Sequence, residues 1–232
     1  MVMSNKIGLV VLILTVGICG QNLQLHYDFG NGRHYVTSTL EMFKPDDCGA
    51  TFWFVDIDYN DGKSANSASL AYWEIARYIT LPFLKNSPAL SKLSATVQYN
   101  DGLNIFGGFG SVWLGGMSYP IDLKIITLNT DLLYRHAEKQ PGNFQLTLVW
   151  FKSFFENKLV FTGFMDIWRQ ENFDGDAGGT DAQLVLLSEP QLWFNVTQHL
   201  GLGGELEISR NFIYAAGAAW KFMPTLGLKW EF

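Results

Sequence analysis

Apolar residues fall on every second position of the terminal stretch Thr225–Phe232 (TLGLKWEF): Leu226, Leu228, Trp230 and Phe232, with Gly227, Lys229 and Glu231 between them. A period of two marks a strand with one oily face and one polar face. The strand runs to an aromatic final residue, whereas chain ends usually fray. A barrel of the bacterial outer membrane has a reason to order its end. Its last strand must pair with its first to close the sheet, and the aromatic end sits in the interfacial girdle. Taken alone, the stretch also fits an ordinary sandwich strand.

The same alternation recurs in segments separated by turn residues. Leu23, Leu25, Tyr27 and Phe29 share one face, and Gln24, His26 and Asp28 the other. Gly30-Asn31-Gly32 then forms a tight turn, since Gly and Asn tolerate positive φ. Further strands are expected over 34–44, 51–59, 67–80, 93–100, 105–118, 121–134, 144–151, 159–170, 182–196, 200–211 and 214–232. Within 67–80 the run AYWEIARY also fits a helix, but flanking β-formers favour a strand. Asp101-Gly102 reads as a hairpin and Pro120 as a turn. Glu189-Pro190 reads as a bulge and Pro224 as a second interruption, because proline cannot donate to a ladder. The segment 81–91, with Pro82 and Pro88, is a loop. The count is about 12 strands, an even number that puts both termini on the periplasmic side. The polar loops 60–66, 135–143 and 171–180 then face outward from the cell.

Composition supports this pattern. Charged residues are 16% and aromatics 15%, whereas charged residues are about a quarter of a typical soluble domain. Ile7–Ile18 is the one long apolar run, too short for the ~20 residues a spanning helix needs. Preceded by Lys6 and followed by Cys19-Gly20-Gln21, it has the regions of a secretory signal peptide. The expected organisation is a removed leader, 1–20, and an outer-membrane barrel, 21–232. Val16-Gly17-Ile18-Cys19 is a poor lipobox, with Ile18 where a small residue belongs. Cys48 is then the single cysteine of the mature chain, so no internal disulfide forms. The formal net charge of −6 argues against nucleic acid as a partner.

Motifs for catalysis or metal binding are missing. His26, His34, His136 and His199 have no metal-ligand spacing, and HExxH, CxxC and GxSxG do not occur. Asp174-Gly175-Asp176 lacks the other positions of a calcium loop. No catalytic residue, metal or cofactor is expected. The informative set is the ionisable row that alternation places on the inner face: Glu41, Asp56, Asp58, Glu74, Asp122, Lys124, Asp166, Glu205 and Glu207. The aromatics Phe52, Phe54, Tyr72, Phe164 and Trp168 interleave with it. Arg77, Arg169 and Arg210 fall near strand ends or on the opposite parity. Carboxylates cannot face lipid, so the row must look into a watery interior. Two readings follow. The row is an ion-pair network that plugs the lumen, or it lines a narrow pore whose aromatics stack on a planar solute while polar groups bind its hydroxyls. A barrel of this size lies between filled eight-stranded barrels and open porins, so solutes must be small.

The segments LQLHYDFG, EMFKPD with Trp53 and Phe54, LAYWEIARY, FTGFMDIW, SEPQLWFN and LKWEF together resemble a group of small outer-membrane barrels of unassigned function related to the Tsx-like nucleoside-specific channels. The resemblance spans essentially the whole mature chain. It implies an all-β fold, a closed antiparallel transmembrane β-barrel of about 12 strands, and passive uptake of nucleosides or similar small polar solutes. No nucleoside-contacting position is carried over. The expected partners are outer-membrane lipid, the solute, and the barrel-assembly machinery that reads the strand ending in Phe232; the barrel is expected to be a monomer. The alternatives are a plugged barrel with a structural or surface-binding role through 171–180, and a soluble secreted β-sandwich binding sugars through exposed Trp.

Overall fold

β1 (Gln21–Asp28) shows how alternation becomes a wall. Gln24, His26 and Asp28 are buried, while Leu25 and Tyr27 are 45% and 49% exposed. Polar side chains point in and apolar ones out, the reverse of a water-soluble sandwich. The same inversion separates chain neighbours: Leu132 is 61% exposed and Leu133 0%. Val97, Leu228 and Trp230 stand on the outer surface, and Leu146, half-buried, shares their parity. No dry apolar centre gathers them, so the soluble-sandwich reading is overturned.

A computed structural model describes residues 20–59, 67–171, 182–212 and 219–232. After β1 come β2 (Tyr35–Asp46), β3 (Gly49–Tyr59), β4 (Ala68–Thr80), β5 (Ser94–Asn104), the two-residue β6 (Gly107–Gly108), β7 (Val112–Asp122) and β8 (Thr127–Ala137). Then follow β9 (Asn143–Phe154), β10 (Leu159–Glu171), β11 (Ala182–Ser188), β12 (Gln191–Asn195), β13 (Leu200–Arg210) and β14 (Trp220–Glu231). β6 only hooks onto β5. β11 and β12 lie end to end between β10 and β13 as one interrupted strand. The wall therefore has 12 antiparallel strands. It closes where β1 pairs with β14, from Asn22↔Glu231 to Asp28↔Thr225. Closure leaves no free sheet edge, which the hydrocarbon of a bilayer would not tolerate.

Aromatic pairs gather towards both ends of the outer surface. Tyr99–Trp113 (4.8 Å) and Tyr134–Phe144 (5.9 Å) lie near one rim, and His199–Trp230 (5.5 Å) near the other. Such girdles match the two interfaces of a bilayer. The expected leader lies outside the described residues apart from Gly20, as do the loops 60–66 and 172–181.

Several turns differ from the sequence reading. Asp101-Gly102 is no hairpin: β5 runs through it, with Gly102 opposite Tyr72. A Cβ on Gly102 would come within 2.7 Å of the Phe109 ring, so glycine is needed there for close packing. Pro120 stays in the ladder opposite Asn129, and the chain turns only after Asp122. Arg135 belongs to β8, not to a loop. Glu189-Pro190 does break its strand as expected. Opposite it Gly163 has φ +149° and an added Cβ would sit 2.4 Å from the Glu189 carbonyl oxygen. Pro224 remains within β14 opposite Leu206. The Pro224 carbonyl accepts from the Phe29 N–H (3.2 Å), while opposite it the Glu205 N–H donates to Thr225 Oγ1 (3.0 Å) and the Leu206 N–H to the Pro190 carbonyl (3.0 Å).

Candidate functional site

Strand register carries one inner face around the barrel. Asn22 of β1 is opposite Glu41, and β2 then sets Thr37 against Asp58, Thr39 against Asp56 and Glu41 against Phe54. β4 answers with Tyr72 opposite Asp56 and Glu74 opposite Phe54. Across the lumen, Asp166 faces inward with Thr147, Trp168 with Gln145, and Glu205 with Gln191. Glu41, Phe52, Phe54, Asp56, Asp58, Tyr72, Glu74, Phe164, Asp166, Trp168, Glu205 and Glu207 all have this inward parity. Phe52, Phe54 and Tyr72 form a ladder of rings with successive centroids 5.9 Å apart.

Lys124 does not line the lumen: it is exposed in the turn after β7 with φ +69°, and its N–H donates to Asp122 Oδ1 (2.7 Å). Asp122 is the last residue of β7, opposite Thr127; it keeps the inward parity of Ser118 but is exposed at the strand end. Alternation fails for Lys124 because β7 ends at Asp122. Of the three arginines at strand ends, Arg77 pairs with Asp46, Arg210 lies over Trp220 at 5.7 Å, and Arg169 is exposed.

The lumen carboxylates are held mostly by neutral donors. Thr37 Oγ1 donates to Asp58 (2.7 Å), Asn22 Nδ2 to Glu41 (3.0 Å), Asn100 Nδ2 to Glu74 (2.8 Å) and Gln191 Nε2 to Glu205 (2.7 Å). Thr39 does the same for Asp56, Tyr72 for Glu74 and Thr147 for Asp166. Among the described residues none of these carboxylates, nor Glu189, lies within ion-pair distance of a cation. Asp28 and Glu207 differ, because Arg33 reaches both, at 3.2 and 2.8 Å. Ion pairs inside the barrel are therefore confined, among the described residues, to Arg33 with Asp28 and Glu207 at one end and Lys229 with Glu231 at the other. Elsewhere the lumen is lined by carboxyl groups without a cationic partner among the described residues.

Sequence reasoning missed the lumen cations. Arg33 sits in the turn between β1 and β2, and no period governs a turn side chain. It folds inward and ties β1 to β13 across the intervening β14. Arg135 was hidden by a misplaced strand end. Its guanidinium lies 5.1 Å over the Trp168 ring, and its buried Nη1 has no protein partner. Lys229 was legible, since it alternates with Leu228 and Trp230. It reaches Glu231 (2.9 Å) and lies 5.2 Å from the Trp193 ring.

Trp193 is a large aromatic turned inward and fully buried. Glycines clear its floor: a Cβ at Gly203 would be 2.8 Å, and one at Gly227 3.3 Å, from Trp193 side-chain atoms. His26 meets the ring edge-on at 5.5 Å, and Nε1 donates to Gln191 (2.9 Å). A second dry region lies on β5, β7, β8 and β9. There Asp131, 0% exposed, accepts from Tyr78 Oη (2.9 Å) and Gln98 Nε2 (3.1 Å), with Leu114 and Leu133 buried beside it.

No curated protein matches the chain in sequence. Solved structures match its fold. The NanC porin is 10% identical, covering 92% of this chain and 100% of that one with a TM-score of 0.57. A KdgM porin is 8% identical, covering 91% and 98% with a TM-score of 0.52. A KdgM porin in complex with disordered oligogalacturonate is 8% identical over the same shares, with a TM-score of 0.50. At such identities the likeness concerns the closed antiparallel barrel itself. In sequence, residues 20–232 match the family described as a domain of unknown function, DUF5020, and the chain belongs to that family.

Proposed function

We propose that the protein is a monomeric outer-membrane channel for passive diffusion of small polar solutes, neutral or cationic in preference to acidic. The observation that carries this reading is the lumen row of Asp56, Glu74, Asp166 and Glu205, half-buried and with no cation of the described residues within ion-pair distance. A wall whose purpose was only to fill the barrel would pair or omit such charges, since burying them uncompensated is costly. The apolar exterior, its aromatic ends and the porin-like fold support an outer-membrane location. In this orientation both termini face the periplasm, and the strand ending at Phe232 is the one offered to the assembly machinery. The ring ladder of Phe52, Phe54 and Tyr72 beside Asp56 and Glu74 suits a flat ring bearing hydroxyls. Nucleosides have this form and no net charge. Oligogalacturonate, held by one of the fold neighbours, is a polyanion that the carboxylates of this lumen would repel.

Purified barrel in a planar bilayer under a KCl gradient tests the proposal. Discrete conductance steps with a cation-selective reversal potential, and partial block by added adenosine, are expected. A silent bilayer would overturn the channel and leave a structural role, to which the dry region around Asp131 lends weight. Anion selectivity would overturn the charge preference alone.

A further inference from the structure

Arg33, Lys229 and Arg135 turn into the lumen, and Lys221, opposite Ser209, has the same inward parity near the strand end. Arg33 and Lys229 have carboxylate partners, Asp28 with Glu207 and Glu231 respectively. Arg135 has none, although Glu74 and Asp166 act on it electrostatically. Its guanidinium rests on Trp168 instead, and Nη1 is a buried donor without a protein acceptor. Buried acceptors are also left over nearby. Asn143, directly opposite Arg135 in the ladder, has an unpartnered Oδ1, and so does Asn100, whose amide nitrogen holds Glu74. Buried polar atoms are rarely left unpaired without a reason. Here the leftover donor and acceptors share one part of the wall.

We infer that Arg135, Trp168, Asn143 and Glu74 form a binding station for a small zwitterion that carries a carboxylate and an ammonium a few atoms apart, as free amino acids do. The carboxylate takes the planar fork of Arg135, which matches it in charge and shape. The ammonium faces Glu74 and the free amide oxygens of Asn143 and Asn100. Trp168, itself buried, backs the guanidinium and holds its fork in place. A plain anion meets the guanidinium but is repelled by Glu74 and Asp166. A plain cation meets the carboxylates but leaves Arg135 uncompensated. A neutral polyol supplies hydrogen bonds and no charge to either side. The inference rests on the open lumen of the channel reading.

Calorimetric titration of the full-length barrel in detergent separates the two ideas, because it needs no current. L-glutamine is the probe, with acetate, ethanolammonium and glucose as comparisons. L-glutamine is expected to bind at least tenfold more tightly than each of the three. Arg135→Gln should weaken it at least tenfold, Arg135→Lys less, and Arg77→Gln, on the far rim, not at all. Equal affinity for L-glutamine and glucose, or unchanged affinity in Arg135→Gln, would overturn the station. A barrel that conducts ions but takes no L-glutamine loses the station and keeps the channel. One that binds L-glutamine and stays silent in a bilayer keeps the station and loses the channel.

Discussion

Around Asp131 on β8 the inward side chains bury a carboxylate completely; on β3, β4, β10 and β13 the carboxylates of Asp56, Glu74, Asp166 and Glu205 keep part of their surface open. Both regions obey the same alternation, and both carry carboxylates at inward positions. Asp131 in the first region is fully buried and takes hydrogen bonds from Tyr78, three strands along the wall, and from Gln98. Asp56 and Glu74 in the second keep part of their surface open and bond only to near neighbours on adjoining strands or their own. Inward parity therefore says that a side chain avoids lipid. Whether it becomes filling or lining depends on what reaches it across the interior.

The sharpest way to break this contrast is to remove the acid from the packed region. Asp131→Ala leaves the Tyr78 hydroxyl and the Gln98 amide without their acceptor, and should cost about 3 kcal/mol, since each stranded buried donor costs about 1–3 kcal/mol. Denaturant unfolding of the refolded barrel in lipid would read it; a change within error would mean that the region is wet. Gly163→Ala tests the junction beside the lining. The new methyl meets the Glu189 carbonyl, and with the positive φ the expected loss is about 2 kcal/mol. The same unfolding assay checks it.

Arg33→Ala comes next. It frees Asp28 and Glu207 at one mouth and should lower stability by about 1 kcal/mol, an exposure-discounted figure for a partly exposed pair. Single-channel conductance should rise at the same time, and an unchanged current would show that Arg33 does not obstruct the path. Smallest in stability is Glu74→Gln on the lining, with an expected change below about 1 kcal/mol because the amide still bonds to its neighbours. Its effect should appear in selectivity: the reversal potential under a KCl gradient moves toward zero. If Glu74→Gln destabilised the barrel as much as Asp131→Ala, the two regions would be alike.

Much of the wall was legible residue by residue. The period of two in LQLHYD and TLGLKWEF set the lipid and lumen faces of β1 and β14, which proved to be the closing pair. It also placed Asp56, Asp58, Glu74, Asp166, Glu205 and Glu207 inside. Strand ends were the weak point. A Pro or an Asp-Gly looks like a turn locally, yet the ladder runs through Pro120 and Asp101-Gly102 because neighbouring strands supply the hydrogen bonds and Phe109 fills the space above Gly102. Misplaced strand ends sent Lys124 into the lumen and left Arg135 out of it.

The sequence by itself determined which side of the sheet each strand residue faces, because the pleat turns successive side chains to opposite sides and a bilayer penalises charge on one of them. Only the tertiary structure decided which inward groups meet. Arg33 folding onto Glu207, Tyr78 reaching Asp131, and Trp193 settling over Gly227 all join residues far apart in the chain. Closure of the barrel brings such residues together, and no local period encodes that distance.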